Sequence, residues 1–211
     1  MNDADIAVLL FGDRRLPRFL RGLQTADVAQ LDAAAQGCRR LIVVGSDADL
    51  ATTLTRLLRT EQLEVEIGFV PPGRSPAARI YGLSTGRRAA RRARRGAARS
   101  TPLIRDETGS AIVGSAEWRP DGDGRPLHGE AVVDDTVLFD GDVTGVRIEP
   151  TPSLPGLRAR PAYRRFGGWL TGRAAQLGTT GAVVVRDGVP AAHPVRRSTF
   201  YRHTQDWLLV R

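Results

Sequence analysis

Residues 41–50 read LIVVGSDADL. Leu41, Ile42, Val43 and Val44 form a short apolar run, and a run of this length bounded by glycine reads as a buried strand. It stops at Gly45, and a helical pattern starts two residues later. Over residues 47–60, Leu50, Leu54, Leu57 and Leu58 fall at i, i+4, i+7 and i+8, which is one apolar helix face. A strand entering a glycine turn and leaving as a helix is how α/β proteins offer backbone N–H groups to an anion. The turn here holds one glycine, one serine and two aspartates.

Upstream, Ile6–Phe11 is an apolar run ending at Gly12-Asp13 and reads as another buried parallel strand. Between the two strands, Arg15–Leu23 and Ala26–Ala35 read as consecutive helices, the second capped by Thr25 and stopped by Gly37. Downstream, residues 63–70 (LEVEIGFV) alternate and predict a strand that Pro71-Pro72-Gly73 ends. Ser75 before Pro76 predicts an N-cap with proline at the first helical position, and a short helix through Ile80. Gly86–Ala98 is built almost wholly of arginine and alanine, both good helix formers. Ala89, Ala93 and Ala97 would give it a narrow apolar stripe, and Gly96 a frayed end.

The period changes near Ser100. Leu103–Arg105, Ala111–Trp118, Gly129–Val133, Thr136–Phe139, Gly145–Ile148, Leu157–Ala159, Ala182–Arg186 and Trp207–Val210 read as short strands, and Asp121-Gly122, Asp140-Gly141 and Asp187-Gly188 as turns. Many short strands at this spacing predict a β-sandwich or barrel. The expected architecture is therefore a small α/β nucleotide-binding-like domain over 1–99, followed by a β-sandwich domain over 100–211. Phe200, Tyr201 and Trp207 are expected to close the core, and Tyr163–Trp169 to form a loop with aromatic anchors.

The bulk numbers narrow the chemistry. The 211 residues are 41% hydrophobic and 26% charged, enough for a packed core. The net charge is +8, and every one of the basic residues is arginine, since the sequence contains no lysine. Such a balance is either a coding bias that fills surfaces with arginine or an attraction to anions. Absent lysine excludes a Walker-type phosphate loop, a Schiff-base mechanism and a protein-kinase mechanism built on a strand lysine. Cys38 is the single cysteine, and the histidines lie apart at 128, 193 and 203, so neither an internal disulfide nor a zinc cluster is expected. Acidic residues precede the first apolar run, which is the wrong charge for a signal peptide. This predicts a cytoplasmic protein, peripheral at a membrane only if its basic helix docks there.

The order of parts, strand, GSDAD, helix, strand, VPPGRSPAARIYGL, basic helix, β half and RDGVP, resembles the diacylglycerol kinase-type lipid kinase family, itself related in fold to NAD kinases. That family carries Gly-Gly-Asp-Gly-Thr after a strand, then Pro-x-Gly-Thr-Gly-Asn-Asp, then Asp-Gly-Glu near its C-terminal end. The resemblance implies a nucleotide-binding set of Gly45, Ser46, Asp47, Gly73, Arg74 and Ser75, with Asp187 as general base for a lipid hydroxyl, and Mg-ATP as cofactor if phosphotransfer survives. The motifs are eroded. Ser46, Ala48 and Asp49 replace the second glycine, the third glycine and the threonine. A Cβ forced into a glycine conformation costs roughly 1–2 kcal/mol. A carboxylate about 4 Å from a phosphate at an effective dielectric of about 20 costs roughly 4 kcal/mol. Phe11–Arg15 stands in place of an Asn-Pro-x-Ser-Gly loop, and the second strand of the family is expected to be missing.

These departures favour a degenerate kinase, a pseudoenzyme that keeps the scaffold to bind a ligand, a membrane or a protein. The alternative is an active divergent ATP-dependent lipid kinase, and a third class is an arginine-rich module for nucleic acid or another polyanion. Arg87, Arg88, Arg91, Arg92, Arg94 and Arg95 are either a solvated helix face or a contact for anionic lipid. Nucleic acid is disfavoured, because aromatics that would stack on bases are 6% of the chain. Asp134, Asp135, Asp140 and Asp142 lack the spacing of a calcium loop and read as turn residues. Asp187-Gly188 has an ordinary reading too, as a hairpin turn.

Overall fold

Leu41–Val44 are each 6% exposed or less, as a strand covered on both faces must be. The structure, a computed structural model, describes residues 3–122, 124–162 and 168–211. The chain divides into two units, Met1–Thr101 with Gln205–Arg211, and Pro102–Thr204.

The first unit is a six-stranded sheet. Its strands are β1 (Ile6–Leu10), β2 (Gln24–Ala26), β3 (Arg40–Val44), β4 (Glu66–Val70), β5 (Ala98–Thr101) and the C-terminal strand Trp207–Val210, in the order β2-β1-β3-β4-C-terminal-β5. All pairings are parallel except that of β5 with the C-terminal strand. Its helices are α1 (Leu31–Gly37), α2 (Asp47–Arg59), α3 (Pro76–Ile80) and α4 (Gly86–Arg95). Helix α2 buries Leu50, Leu54 and Leu57 completely, the face its leucine spacing predicts. Helix α4 buries Ala89, Ala90 and Ala93, while Ala97 is exposed beyond its end. Small residues let it lie close to β4: a Cβ at Gly68 would stand 2.8 Å from that of Ala93.

The C-terminal end of α4 is held by a buried cation. Arg40, 2% exposed, donates to the carbonyls of Ala93 (3.1 Å), Arg94 (2.8 Å) and Gly96 (2.9 Å), and its Nε to Glu66 (2.7 Å). Last-turn carbonyls lack intrahelical donors, and a guanidinium satisfies several at once.

Residues 12–39 depart from the two expected helices. They form two short 3-10 turns, Arg18–Leu20 and Val28–Gln30, with β2 between them and only seven residues of α1. Gly22, at φ +85°, turns the chain out of helix, and the Asp27 side chain restarts it by accepting from Gln30 N. Thr25 is thus no N-cap; it lies in β2, opposite Val8. The second strand of the family, expected to be missing, is present but three residues long.

The second unit is one antiparallel sheet of eleven strands. They are β6 (Ile104–Asp106), β7 (Ala111–Ile112), β8 (Ala116–Pro120), β9 (Leu127–Val133), β10 (Thr136–Val143), β11 (Val146–Pro150), β12 (Leu157–Pro161), β13 (Leu170–Gly172), β14 (Ala174–Arg186), β15 (Val189–Pro190) and β16 (Val195–Arg202). The path runs β13-β12-β11-β8-β14-β16-β6-β7, with β9 on β14, β10 on β9 and β15 on β14. Trp118, Phe200, Ile148, Leu157 and Val184, all fully buried, form its core. Asp140-Gly141 lies inside β10 rather than in a turn, while Asp134 and Asp135 make the β9–β10 turn, Asp134 at φ +49°. Trp207, read with this half, instead pairs in the first sheet and meets Tyr81 edge-on at 5.6 Å. Of the expected aromatic loop, residues 163–167 lie outside the described residues; Trp169 lies under the guanidinium groups of Arg158 (4.2 Å) and Arg160 (4.6 Å).

Candidate functional site

The GSDAD turn is built as a self-contained helix cap. Ser46 is the N-cap of α2, and its Oγ accepts from Asp49 N (3.3 Å). Asp49 returns the contact: its carboxylate accepts from Ser46 N (2.7 Å) and Ser46 Oγ (2.8 Å). This is the reciprocal capping box, in which two first-turn donors are satisfied by side chains. Gly45 has an ordinary φ; glycine is needed there because a Cβ would stand 2.7 Å from Asp49 Oδ2. The close approach made at this glycine is therefore to the chain's own carboxylate. Ser46, at φ −78°, pays none of the strain expected for a side chain in a glycine conformation. Arg14, from the loop after β1, stands 3.8 Å from Asp49 Oδ2.

Asp47 ties this turn to the loop after β4. Its carboxylate accepts the Ser75 hydroxyl and, at 3.0 Å, the amide of Ala77. Ser75 Oγ accepts from Ala78 N (2.9 Å), as the N-cap reading of Ser75-Pro76 predicts. Proline has no N–H, so the Ala77 and Ala78 amides at the start of α3 both have acceptors. Gly45, Ser46, Asp47 and Ser75 are thus brought together. Gly73 and Arg74 are exposed beside them; a Cβ at Gly73 would touch nothing within 4 Å, so no local geometry requires glycine there.

Asp187 forms the turn between β14 and β15 with Gly188, at φ +47° and +86°. Its carboxylate accepts three backbone amides, Val113 (3.1 Å), Gly114 (2.6 Å) and Ser115 (2.9 Å). These bonds shape the 113–115 bend that splits the expected strand Ala111–Trp118 into β7 and β8. The Asp187 carboxylate thereby joins the β14–β15 turn to the bend before β8.

Asp134 accepts from the amides of Arg173 (3.0 Å) and Ala174 (2.9 Å), and Asp142 pairs with His128 at 2.8 Å. Among the described residues, no three His, Cys, Asp or Glu side chains gather as a metal site. Burial, and then the charge of Arg105, push the His203 pKa down. On α4, Arg87, Arg88, Arg91, Arg92 and Arg95 are exposed, with no side-chain partner among the described residues. Arg94 differs: it pairs with Asp3 and donates to the carbonyl of Phe19 (2.9 Å). No described helix is long and apolar enough to cross a membrane. Sequence reasoning did not single out Arg14 or Arg40, whose partners lie far away in the chain.

No sequence-family profile matches the chain, and no curated protein matches it in sequence. Solved structures do match in shape. A diacylglycerol kinase from Bacillus anthracis str. Sterne aligns over 98% of this chain and 96% of its own, with TM-score 0.72 and 10% identity. An NAD kinase from Archaeoglobus fulgidus, solved in complex with ATP, aligns over 98% and 93%, with TM-score 0.66 and 13% identity. Yeast NADH kinase, complexed with NADH, aligns over 89% and 66%, with TM-score 0.60 and 9% identity. The parallel sheet followed by the large antiparallel one is the fold of the diacylglycerol kinases and NAD kinases.

Proposed function

We propose that this chain is a kinase-fold pseudoenzyme, a scaffold that has exchanged nucleotide binding for internal ties and docks on anionic surfaces. One observation carries the reading: the carboxylates of Asp49 and Asp47 sit on the donors at the two turns where the fold's phosphate loops would lie. Asp49 takes Ser46 N, and Asp47 takes Ala77 N and the Ser75 hydroxyl. A phosphate brought to these turns would have to displace two carboxylates and approach their charge, which Arg14 offsets only in part from 3.8 Å. The residues present do not fit Mg-ATP, and we derive no phosphotransfer step. The occupied Asp187 carboxylate supports the same reading. The docking half rests on five exposed arginines of α4 that have no side-chain partner among the described residues, with Phe19 44% exposed beside Arg94. Basic residues at an anionic lipid surface contribute about 1 kcal/mol each.

Calorimetric titration of Mg-ATP and Mg-ADP into the full chain tests this. No heat and no thermal shift at millimolar nucleotide is the expected result. Micromolar binding, or phosphate transfer to diacylglycerol that Asp187→Ala abolishes, would overturn it in favour of an active lipid kinase. Sedimentation with anionic against neutral vesicles tests the docking half; equal recovery on both would sink that half alone.

A further inference from the structure

The antiparallel unit carries a second cluster of charge, remote in sequence from the turns above. Across β8, β11 and β12 the register places Glu117, Arg147 and Arg160 in one row. Arg147 is neutralised on one side, donating to Glu117 (2.9 Å) and to Glu149 (3.0 Å). On its other side it faces Arg160 directly. Like charges opposite each other in an antiparallel pair repel. Glu149 is itself shared with Arg158 (2.6 Å). Arg160 packs on the face of Trp169, and its buried Nε has no hydrogen-bond partner among the described residues. A buried donor without an acceptor is rare in folded proteins and calls for an explanation.

Those groups line a cavity. Its volume is about 770 Å³, and Arg119, Arg125, Arg147 and Arg160 reach it from three strands and the loop before β9. Glu117 is the only acidic residue among its described lining, and it is already paired with Arg119 and Arg147. Guanidinium forks match the paired oxygens of phosphate and carboxylate, and they are less costly to dehydrate than ammonium groups. An anion seated here would supply the acceptor Arg160 lacks and turn the Arg147–Arg160 repulsion into a clamp. The volume is that of a small-molecule site rather than of a bare ion.

We propose that this cleft binds a phosphate monoester, with Arg160 and Arg125 as its principal contacts and Arg147 as the second jaw. It shares no residue with the Gly45 turn or with α4, so it stands whether or not the chain binds nucleotide.

The test is calorimetric titration of glycerol 3-phosphate and of inorganic phosphate into the full chain at low ionic strength. Saturable binding to glycerol 3-phosphate is expected, weakened about tenfold or more by Arg160→Gln and by Arg125→Ala. Arg160→Lys, which keeps the charge over Trp169 but not the fork, should fall between wild type and Arg160→Gln. Circular dichroism and the melting curve show whether each variant is folded. A soluble ester and a lipid headgroup are separated by sedimentation with phosphatidic acid vesicles: a loss caused by Arg160→Gln means the phosphate comes from lipid, and no change means a soluble ester. The proposal fails if wild type shows no saturable binding. It also fails if the folded Arg160→Gln and Arg125→Ala proteins bind as wild type does, or if Arg87→Glu/Arg91→Glu, and not these variants, abolishes the heat.

Discussion

The Asp47 carboxylate, on the first turn of α2, accepts the hydroxyl of Ser75, the residue that caps α3, 28 positions further along the chain. One carboxylate therefore fixes the start of a second helix as well as standing at the start of its own. Replacing it with alanine frees the Ala77 amide and the Ser75 hydroxyl together. Asp47→Ala should cost about 1.5–3 kcal/mol, the range for hydrogen bonds to a charged group. Urea unfolding would read this as a lower midpoint at unchanged slope.

Arg40 is expected to be the most sensitive charged position. Removing it leaves Glu66 with only the half-exposed Arg39 and uncovers three carbonyls at the end of α4. Breaking a buried pair from one side costs about 3–5 kcal/mol, so Arg40→Met should lower the melting temperature sharply. Hydrogen exchange should show the last turn of α4 opening first. A change within the range of a surface substitution would mean the cap carries no weight.

Gly68→Ala tests the approach of α4 to β4. The added methyl would meet Ala93 Cβ at 2.8 Å and its backbone at 3.1 Å. Neither neighbour has a flexible end to move, so the helix must shift. Overpacking of this kind costs about 1–3 kcal/mol, and a chemical-shift map should place the disturbance on α4.

His203 predicts a dependence of stability on pH. Its folded pKa lies below the ordinary value of 6.5, through burial first and the charge of Arg105 second. In that window the unfolded chain binds the proton more readily, so stability falls as pH drops below about 6.5 and stops falling once the folded form also titrates. His203→Gln should flatten this part of the stability curve. The Asp32 carboxylate, lowered by its hydrogen bond to Arg56, acts at lower pH. Its contribution is present above the unfolded carboxylate pKa and is lost as pH falls through the folded one. A curve in the His203 variant as steep as wild type would remove histidine from the explanation.

Much of this fold is legible because local signals agree with it. Leu41–Val44, the leucine face of α2 and the Ser75-Pro76 start of α3 each follow from apolar period or capping chemistry alone. What escaped the sequence is what distant partners decide. Gln24–Ala26 has no strand pattern of its own and becomes one only beside β1. Ala98–Thr101 and Val195–Arg202 are not among the strands the sequence analysis delimits, and sheet neighbours make them strands. At the candidate site, Ser46, Ala48 and Asp49 stand out in the sequence as departures from the motif it resembles, but the cap that Ser46 and Asp49 form does not. Spacing suggested strain at a lost glycine, whereas Ser46 sits in a relaxed cap. Aspartate at the third helical position is a cap partner by local rule. That Asp47 would cross to another loop, and that Asp187 would fold onto residues 113–115, depends on contacts no local pattern encodes.

The strand Trp207–Val210 lies between β4 and β5, yet it is made after all the strands of the antiparallel unit. In the order of synthesis, the antiparallel unit is an insertion between the fifth and last strands of the parallel sheet. During translation β4 has to wait, one edge unpaired, until more than a hundred further residues have left the ribosome. Such a delay leaves an apolar edge open to wrong partners. The antiparallel unit, whose strands are continuous in sequence, can close first. Trp207 against Tyr81 would then report the closure of the first sheet, and a nascent chain stalled before residue 207 should present a strand edge that a chaperone can recognise.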